Sequence, residues 1–212
     1  MEADYIKPDE IEAESFRIIR EELKERGIYI PEDEAPVIMR VIHTTADFEY
    51  AETLKFSSDA LSVLKGLLEA GTRIVTDTNM AKSGISQKLV SERGGEVICY
   101  MADPEIAREA ERRGITRAMA SMEKAAALAG DTVFAIGNAP TALMLLKDKI
   151  ENEGYRPAFI IGVPVGFVNV VRSKEEILKL AEEKNIPYII NTGRKGGSNV
   201  AAAIVNAALK KR

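Results

Sequence analysis

The sequence predicts an α/β protein in which a mainly parallel sheet carries helices on both faces, a three-layer arrangement of the Rossmann-like kind. Three observations support this. Short apolar, β-branched runs alternate with longer amphipathic stretches along the chain, as βαβ units require. Those runs are nearly free of polar residues, as strands buried on both faces must be. No Gly/Ser/Pro linker, low-complexity tract or repeat divides the chain, so a single domain over residues 1–212 is the simplest account.

Each element has its own signal. Pro8 to Arg26 reads as a helix: proline suits the first turn, Ile11, Phe16, Ile19 and Leu23 recur at helical spacing, and Gly27 stops it. Pro36 to His43 is expected to be the first strand. Phe56 to Ala70 reads as a helix, with Ser57, Ser58 or Asp59 as caps and Gly71 as the stop. Thr72–Thr76 is the second expected strand, and Asp77-Thr78-Asn79 opens a helical stretch containing Gly84. Glu96–Met101 is the third expected strand, followed by helices at Pro104–Arg113 and Thr116–Ala129 on either side of Gly114. Expected strands at Thr132–Ile136, Ala158–Val163 and Pro187–Ile190 then alternate with helices at Asn138–Glu151, Lys174–Lys184 and Gly196–Lys210.

Composition excludes several classes. The hydrophobic share of 46% and charged share of 29% are those of a globular protein, and the net charge of −4 argues against a nucleic-acid partner. No apolar run is long enough to span a bilayer, and the acidic start Met1-Glu2-Ala3-Asp4 is unlike a secretory signal, so a cytoplasmic location without a membrane partner is expected. With one histidine and one cysteine, no zinc site of the usual ligand types is expected, and Cys99 in its apolar run reads as an inert buried thiol.

Residues that a core does not need follow the expected strands. They are His43-Thr44-Thr45, Asp77-Thr78-Asn79, Gly137-Asn138-Ala139-Pro140-Thr141, Gly162-Val163-Pro164-Val165-Gly166-Phe167 and Thr192-Gly193-Arg194-Lys195-Gly196-Gly197-Ser198. In a parallel sheet these positions line one carboxyl edge, where ligands bind. Any one cluster is also ordinary turn chemistry. In the last, Arg194 and Lys195 bring positive charge, and Gly196-Gly197-Ser198 open a helix whose free N–H groups suit an anion. The chain has no G-x-G-x-x-G after its first expected strand, no phosphate-binding G-x-x-x-x-G-K-[ST] and no G-x-S-x-G elbow, so the anion expected is a small molecule other than a nucleotide.

His43 is the only histidine and the one side chain that ordinarily titrates near neutrality, which makes it the candidate proton donor; a strand-capping histidine is the plainer alternative. On a strand, Arg40 would face away from His43. Asp47 is placed to orient the imidazole or to start a helix.

These segments resemble the precorrin-8X methylmutases, including the cobalt-precorrin-8 form. The matching residues are Arg40-Val41-Ile42-His43-Thr44-Thr45-Ala46-Asp47-Phe48, Thr76-Asp77-Thr78-Asn79-Met80 with Gly84-Ile85, Gly137-Asn138-Ala139-Pro140-Thr141-Ala142-Leu143, Ile161-Gly162-Val163-Pro164-Val165-Gly166-Phe167-Val168 and Gly193-Arg194-Lys195-Gly196-Gly197-Ser198. The resemblance implies a homodimeric isomerase of cobalamin biosynthesis. Its substrate would be precorrin-8X or cobalt-precorrin-8, an anionic tetrapyrrole, and a methyl group would move from C-11 to C-12 to give hydrogenobyrinate or cobyrinate. The transfer is intramolecular, so no S-adenosylmethionine or other cofactor is implied.

The resemblance further implies His43 as proton donor, with Arg117 toward substrate carboxylates and Ser15 on a helix that approaches the ligand; Arg40, by its position, is expected to reach a substrate carboxylate at the strand end or to bind a neighbouring subunit. Thr44, Thr45, Asn138 and Phe167 would form crevice walls. Thr78, Gly84 and Gly166 fall in the shared segments, and Lys195, Gly196, Gly197 and Ser198 form the anion loop. Two other readings compete: a tetrapyrrole carrier without turnover, and a dehydrogenase or methyltransferase with a degenerate nucleotide loop.

Overall fold

Successive strand residues turn to opposite sides of one sheet, and both sides are apolar. The computed structural model describes Lys7 and residues 10–210. Among these, six strands form one sheet in the order β1-β6-β5-β4-β2-β3: β1 (Leu54–Phe56), β2 (Arg73–Thr76), β3 (Val97–Ile98), β4 (Thr132–Ile136), β5 (Phe159–Gly162) and β6 (Tyr188–Asn191). All neighbouring pairs are parallel except β1 with β6, where Leu54 faces Asn191 and Phe56 faces Ile189.

Ile74, Val133, Ala135, Phe159, Ile161 and Ile189 face one core, and Val75, Phe134, Ile136, Ile160, Tyr188 and Ile190 face the other. Helices α1 (Ile11–Glu25), α2 (Ala35–Thr45), α4 (Ala60–Glu69), α5 (Asn79–Gly84), α6 (Gln87–Ser91) and α11 (Ser198–Leu209) cover the first side. Helices α8 (Arg117–Ala126), α9 (Pro140–Asn152) and α10 (Val170–Lys184) cover the second, and α7 (Pro104–Arg113) packs outside α8. The three-layer, mainly parallel expectation is met, and complete burial of each such Ile or Phe contributes about 1.5–3 kcal/mol.

Two expectations need correction. Pro36–His43 is not a strand: it lies within α2, whose first turn holds Pro36 and whose buried residues Val37, Ile38, Val41 and Ile42 recur at helical spacing. An unbroken apolar run is ambiguous between a buried strand and a buried helix, and here α1 on one flank and α11 on the other supply a helical environment. Phe56 is not helical either. It ends β1, a three-residue antiparallel edge strand after the short helix α3 (Tyr50–Thr53), too brief to show a period of two. The expected helix start at Pro8 lies outside the described residues.

Alanines let α11 pack closely. Its Ala201, Ala202 and Ala203 are buried, and a Cβ on Gly84 at the end of α5 would stand 2.9 Å from the Ala202 Cβ. Asn206 of α11 locks the same junction, donating from Nδ2 to Gly84 O at 2.8 Å and accepting at Oδ1 from Ser86 N at 2.9 Å. No helix among the described residues is long and apolar enough to cross a membrane.

Candidate functional site

Strands β3-β2-β4-β5-β6 follow the flavodoxin-like doubly wound order, so the topology switches between β2 and β4, where such sheets usually open a ligand crevice. Here the chain's own carboxylate fills that point. Asp77, fully buried at the end of β2, accepts N–H bonds from Gly137 (2.9 Å), Asn138 (2.8 Å) and Ala139 (2.6 Å) ahead of α9. Burial pushes the Asp77 carboxyl above the usual carboxylate range, and the three N–H bonds pull it back. The N-terminus of α11 closes over the same point: a Cβ on Gly137 would meet Gly197 O and Ser198 Cα at 2.7 Å. Thr78 Oγ1 and Ser198 Oγ lie 2.7 Å apart, and Thr78 also caps α5 by accepting from Ala81 N. Thr78, Ser198 and Gly84 therefore hold helices α5 and α11 together in this structure.

The exposed polar groups gather around this plug. Asn138 is exposed, as is Arg117 at the first position of α8, whose Thr116 cap meets Thr141 Oγ1 at 2.9 Å. On the next loop Gly166, at φ +151°, donates its N–H to Arg194 O at 3.2 Å, and the guanidinium of Arg194 lies 5.5 Å from the centroid of the exposed Phe167 ring. Gly196 crosses so close to the β5 loop that a Cβ there would fall 2.1 Å from Val163 O; Gly197 N donates to that same oxygen at 2.9 Å.

Lys195 does not stand free in the loop. Its Nζ donates to Asp47 Oδ2 at 2.6 Å and pairs with Glu49 Oε2 at 2.8 Å, and these two carboxylates hold the ammonium well above its ordinary range. Asp47 is thus engaged by Lys195 and by the N–H of Glu49, rather than by the imidazole it was placed to orient. This ion pair ties the segment after α2 to the loop between β6 and α11. It ties the C-terminal end of α2 to that loop by a helix instead of a strand.

His43 is exposed in the last turn of α2. Thr44 and Thr45 donate their hydroxyls back to Arg40 O (2.9 Å) and Val41 O (2.8 Å), and Ala46 ends the helix at φ 54°. Because α2 is a helix, Arg40 lies one turn from His43 on the same face, not the opposite one. Both contact Phe16 of α1: the Arg40 guanidinium is 4.7 Å from the ring centroid, and His43 meets the ring edge to face at 5.4 Å. Arg40 also makes hydrogen bonds of 2.9 and 3.3 Å to the Glu12 carboxylate, which accepts Lys210 as well. Arg40 and Lys210 hold the Glu12 carboxyl down at about 2. Ser15, beside Phe16, spends its hydroxyl proton on Ile11 O at 2.8 Å.

Beyond Phe16 and Arg40 opens a groove of about 1100 Å³, walled by Leu23, Ile28, Tyr29 and Met39 and fringed by Arg20 and Lys210. Neither the groove nor Phe16 was singled out from the sequence as part of a site. The signal for Phe16 would have been a helical reading of Arg40 and His43, which puts both on the flank facing α1. Among the described residues no three His, Cys, Asp or Glu side chains converge to hold a metal ion.

Comparison with known proteins places the whole chain in one family. The profile of the precorrin-8X methylmutase (CbiC) family matches residues 10–211. The cobalt-precorrin-8 methylmutase of Salmonella typhimurium is 46% identical over 209 residues, covering 96% of this chain and 95% of that one. The precorrin-8X methylmutase of Pseudomonas aeruginosa is 35% identical over 210 residues, covering 99% of each. A crystal structure of the precorrin-8X methylmutase from Thermus thermophilus superposes with a TM-score of 0.81 at 37% identity, over 94% of this chain and 96% of that one. A match over nearly the whole chain, in sequence and in fold, makes this protein a member of the precorrin-8X methylmutase family, isomerases of cobalamin biosynthesis.

Proposed function

We propose that this protein moves the C-11 methyl group of precorrin-8X, or of cobalt-precorrin-8, to C-12, with His43 as the general acid. One observation carries the reading. The only histidine stands exposed at the end of α2, and Asp47, four residues on, is ion-paired to Lys195 in the loop best suited to an anion.

The chemistry is an isomerisation: the bond from the methyl carbon to C-11 breaks as the bond to C-12 forms, and nothing is added or lost. An imidazolium at His43 lends its proton to a ring nitrogen, which draws electron density from the migrating centre, and takes it back afterwards. General acid catalysis of this type contributes roughly 10²–10⁴-fold, about 3–5 kcal/mol of barrier. The remainder comes from holding the macrocycle in a reactive geometry.

The acetate and propionate carboxylates of the substrate need cationic and N–H partners. Arg117, Arg194 and the Gly196 N–H of the Lys195-Gly196-Gly197-Ser198 loop supply these, with Arg40 on the α1–α2 side beside Ser15. Thr44, Thr45, Asn138, Gly166 and Phe167 complete the walls, and Thr78 and Gly84 hold the floor. The reading treats residues 1–212 as one domain acting as a homodimer, supported by the single sheet and by the adjacent exposed side chains Phe167 and Val168. It includes no cofactor and no nucleic-acid or membrane partner.

The test is an absorbance assay on purified protein with each tetrapyrrole. Conversion by the wild type together with loss of turnover but retained binding in His43→Ala is the expected result. A spectral shift on binding either compound, without conversion, would make the protein a carrier instead.

A further inference from the structure

Lys174 is the one ammonium in the described interior with no accessible surface. It lies on α10 beneath the loop between β6 and α11, and its Nζ donates to Gly193 O at 3.0 Å and Lys195 O at 2.7 Å. Among the described residues no carboxylate pairs with it. Taking an ammonium out of water costs several kcal/mol, and a methionine fills the same space without that penalty. Core packing alone therefore gives no reason for a lysine here.

The loop above supplies one. Every peptide bond among the described residues is trans, so a carbonyl aimed down at Lys174 sends the N–H of the next residue up. The Gly193 and Lys195 carbonyls point to Nζ, which turns the N–H groups of Arg194 and Gly196 to the outer side of the loop. Neither N–H has a backbone acceptor among the described residues. The Asn191 amide holds the same Lys195 carbonyl at 2.8 Å, and Gly196, at φ +159°, allows the turn. Two backbone N–H groups, of alternate residues and without backbone acceptors, that face outward offer a small anion two donors, and a positive charge directly below favours it.

We infer that Lys174 is a positioning residue for substrate binding: by gathering the Gly193 and Lys195 carbonyls it sets the Arg194 and Gly196 N–H groups toward a substrate carboxylate. This rests on the functional reading above and assigns Lys174 no part in the proton transfer. Burial draws the ammonium down to about 8, so it is still charged at neutral pH.

The experiment compares wild type, Lys174→Met and Lys174→Gln by steady-state turnover of precorrin-8X, by titration with hydrogenobyrinic acid, and by thermal unfolding. Lys174→Met is expected to raise KM and the product dissociation constant about tenfold, to leave kcat within threefold, and to unfold no lower than wild type. Added sulfate should raise the wild-type KM more than chloride at equal ionic strength, and this difference should disappear in the variant. A merely structural lysine would change the unfolding midpoint but neither the KM-to-kcat split nor the sulfate response. If Lys174→Met does not fold, Lys174→Gln, which keeps an N–H donor without the charge, serves in its place. An unchanged KM in a folded variant overturns the role of Lys174 alone. A wild type that neither binds hydrogenobyrinic acid nor converts either tetrapyrrole overturns the functional reading, and this role with it.

Discussion

Phe16 and His43 meet edge to face, their ring centroids 5.4 Å apart at an interplanar angle of 68°. One turn earlier on α2, the Arg40 guanidinium stacks on the same phenyl ring, so a single residue of α1 carries both basic side chains of that helix face. An exposed imidazole at a helix end has several rotamers open to it, and this contact restricts them. Phe16→Leu should therefore lower kcat about tenfold with KM little changed, while His43→Gln should lower it by about 10²–10⁴-fold. Pre-steady-state absorbance traces of the two variants check both expectations.

Glu12 gives a sign-definite acid dependence. Arg40 and Lys210 hold its carboxyl at about 2, below the ordinary value of 4.5. A carboxyl held low in the folded state contributes stability that is present above 4.5 and lost as pH falls toward 2. Glu12 is about half exposed, so solvent screens the pair and the contribution is at most about 1 kcal/mol. Urea midpoints of wild type should thus fall more steeply than those of Glu12→Gln over that window, and parallel curves would remove the pair from the account.

Lys174 acts in the opposite direction on the alkaline side. Its ammonium titrates at about 8 when folded, against an ordinary 10.5, so the folded state sheds its proton first. Below 8 the folded protein bears the full cost of the buried charge, and stability recovers as pH rises from 8 to 10.5, by at most about 3 kcal/mol. Relative to Lys174→Met, the wild-type thermal midpoint should climb across that interval.

The plug at the topological switch should be sensitive to small changes. Asp77→Asn keeps the volume but replaces an acceptor oxygen with an N–H donor facing backbone N–H groups, and should cost about 2–3 kcal/mol. Gly137→Ala drives a methyl group against Gly197 O and Ser198 Cα, both backbone atoms that cannot swing aside, at a similar cost. Denaturant unfolding measures both. The Gly137 variant should in addition bind hydrogenobyrinic acid less tightly, because the displaced segment is the proposed anion loop.

Most of the sheet was legible because buried parallel strands announce themselves. The runs at Thr132–Ile136 and around Ile160 and Ile189 are apolar and β-branched, and glycine, proline or asparagine stands close to their ends. The segment holding His43 was misread for the same reason, since Val37 to Ile42 is an apolar run whose period hardly shows when most of the helix surface is buried. The Lys195–Asp47 pair, separated by 148 residues, and the hold of Lys174 on the Lys195 carbonyl left no trace in local pattern.

By itself the sequence determined the fold class and the family, because unbroken apolar runs, the turn residues that bound them and the motifs that follow them are local properties of the chain. Only the tertiary structure decided how the polar residues of those motifs are used. It put His43 on a helix beside Phe16 and Arg40 and spent Asp77 on filling the crevice that the topology would otherwise leave open. It also paired Lys195 with two carboxylates and buried Lys174 under the anion loop. Each of these is a contact between distant segments, fixed by how helices and sheet pack and not by the spacing of residues along the chain.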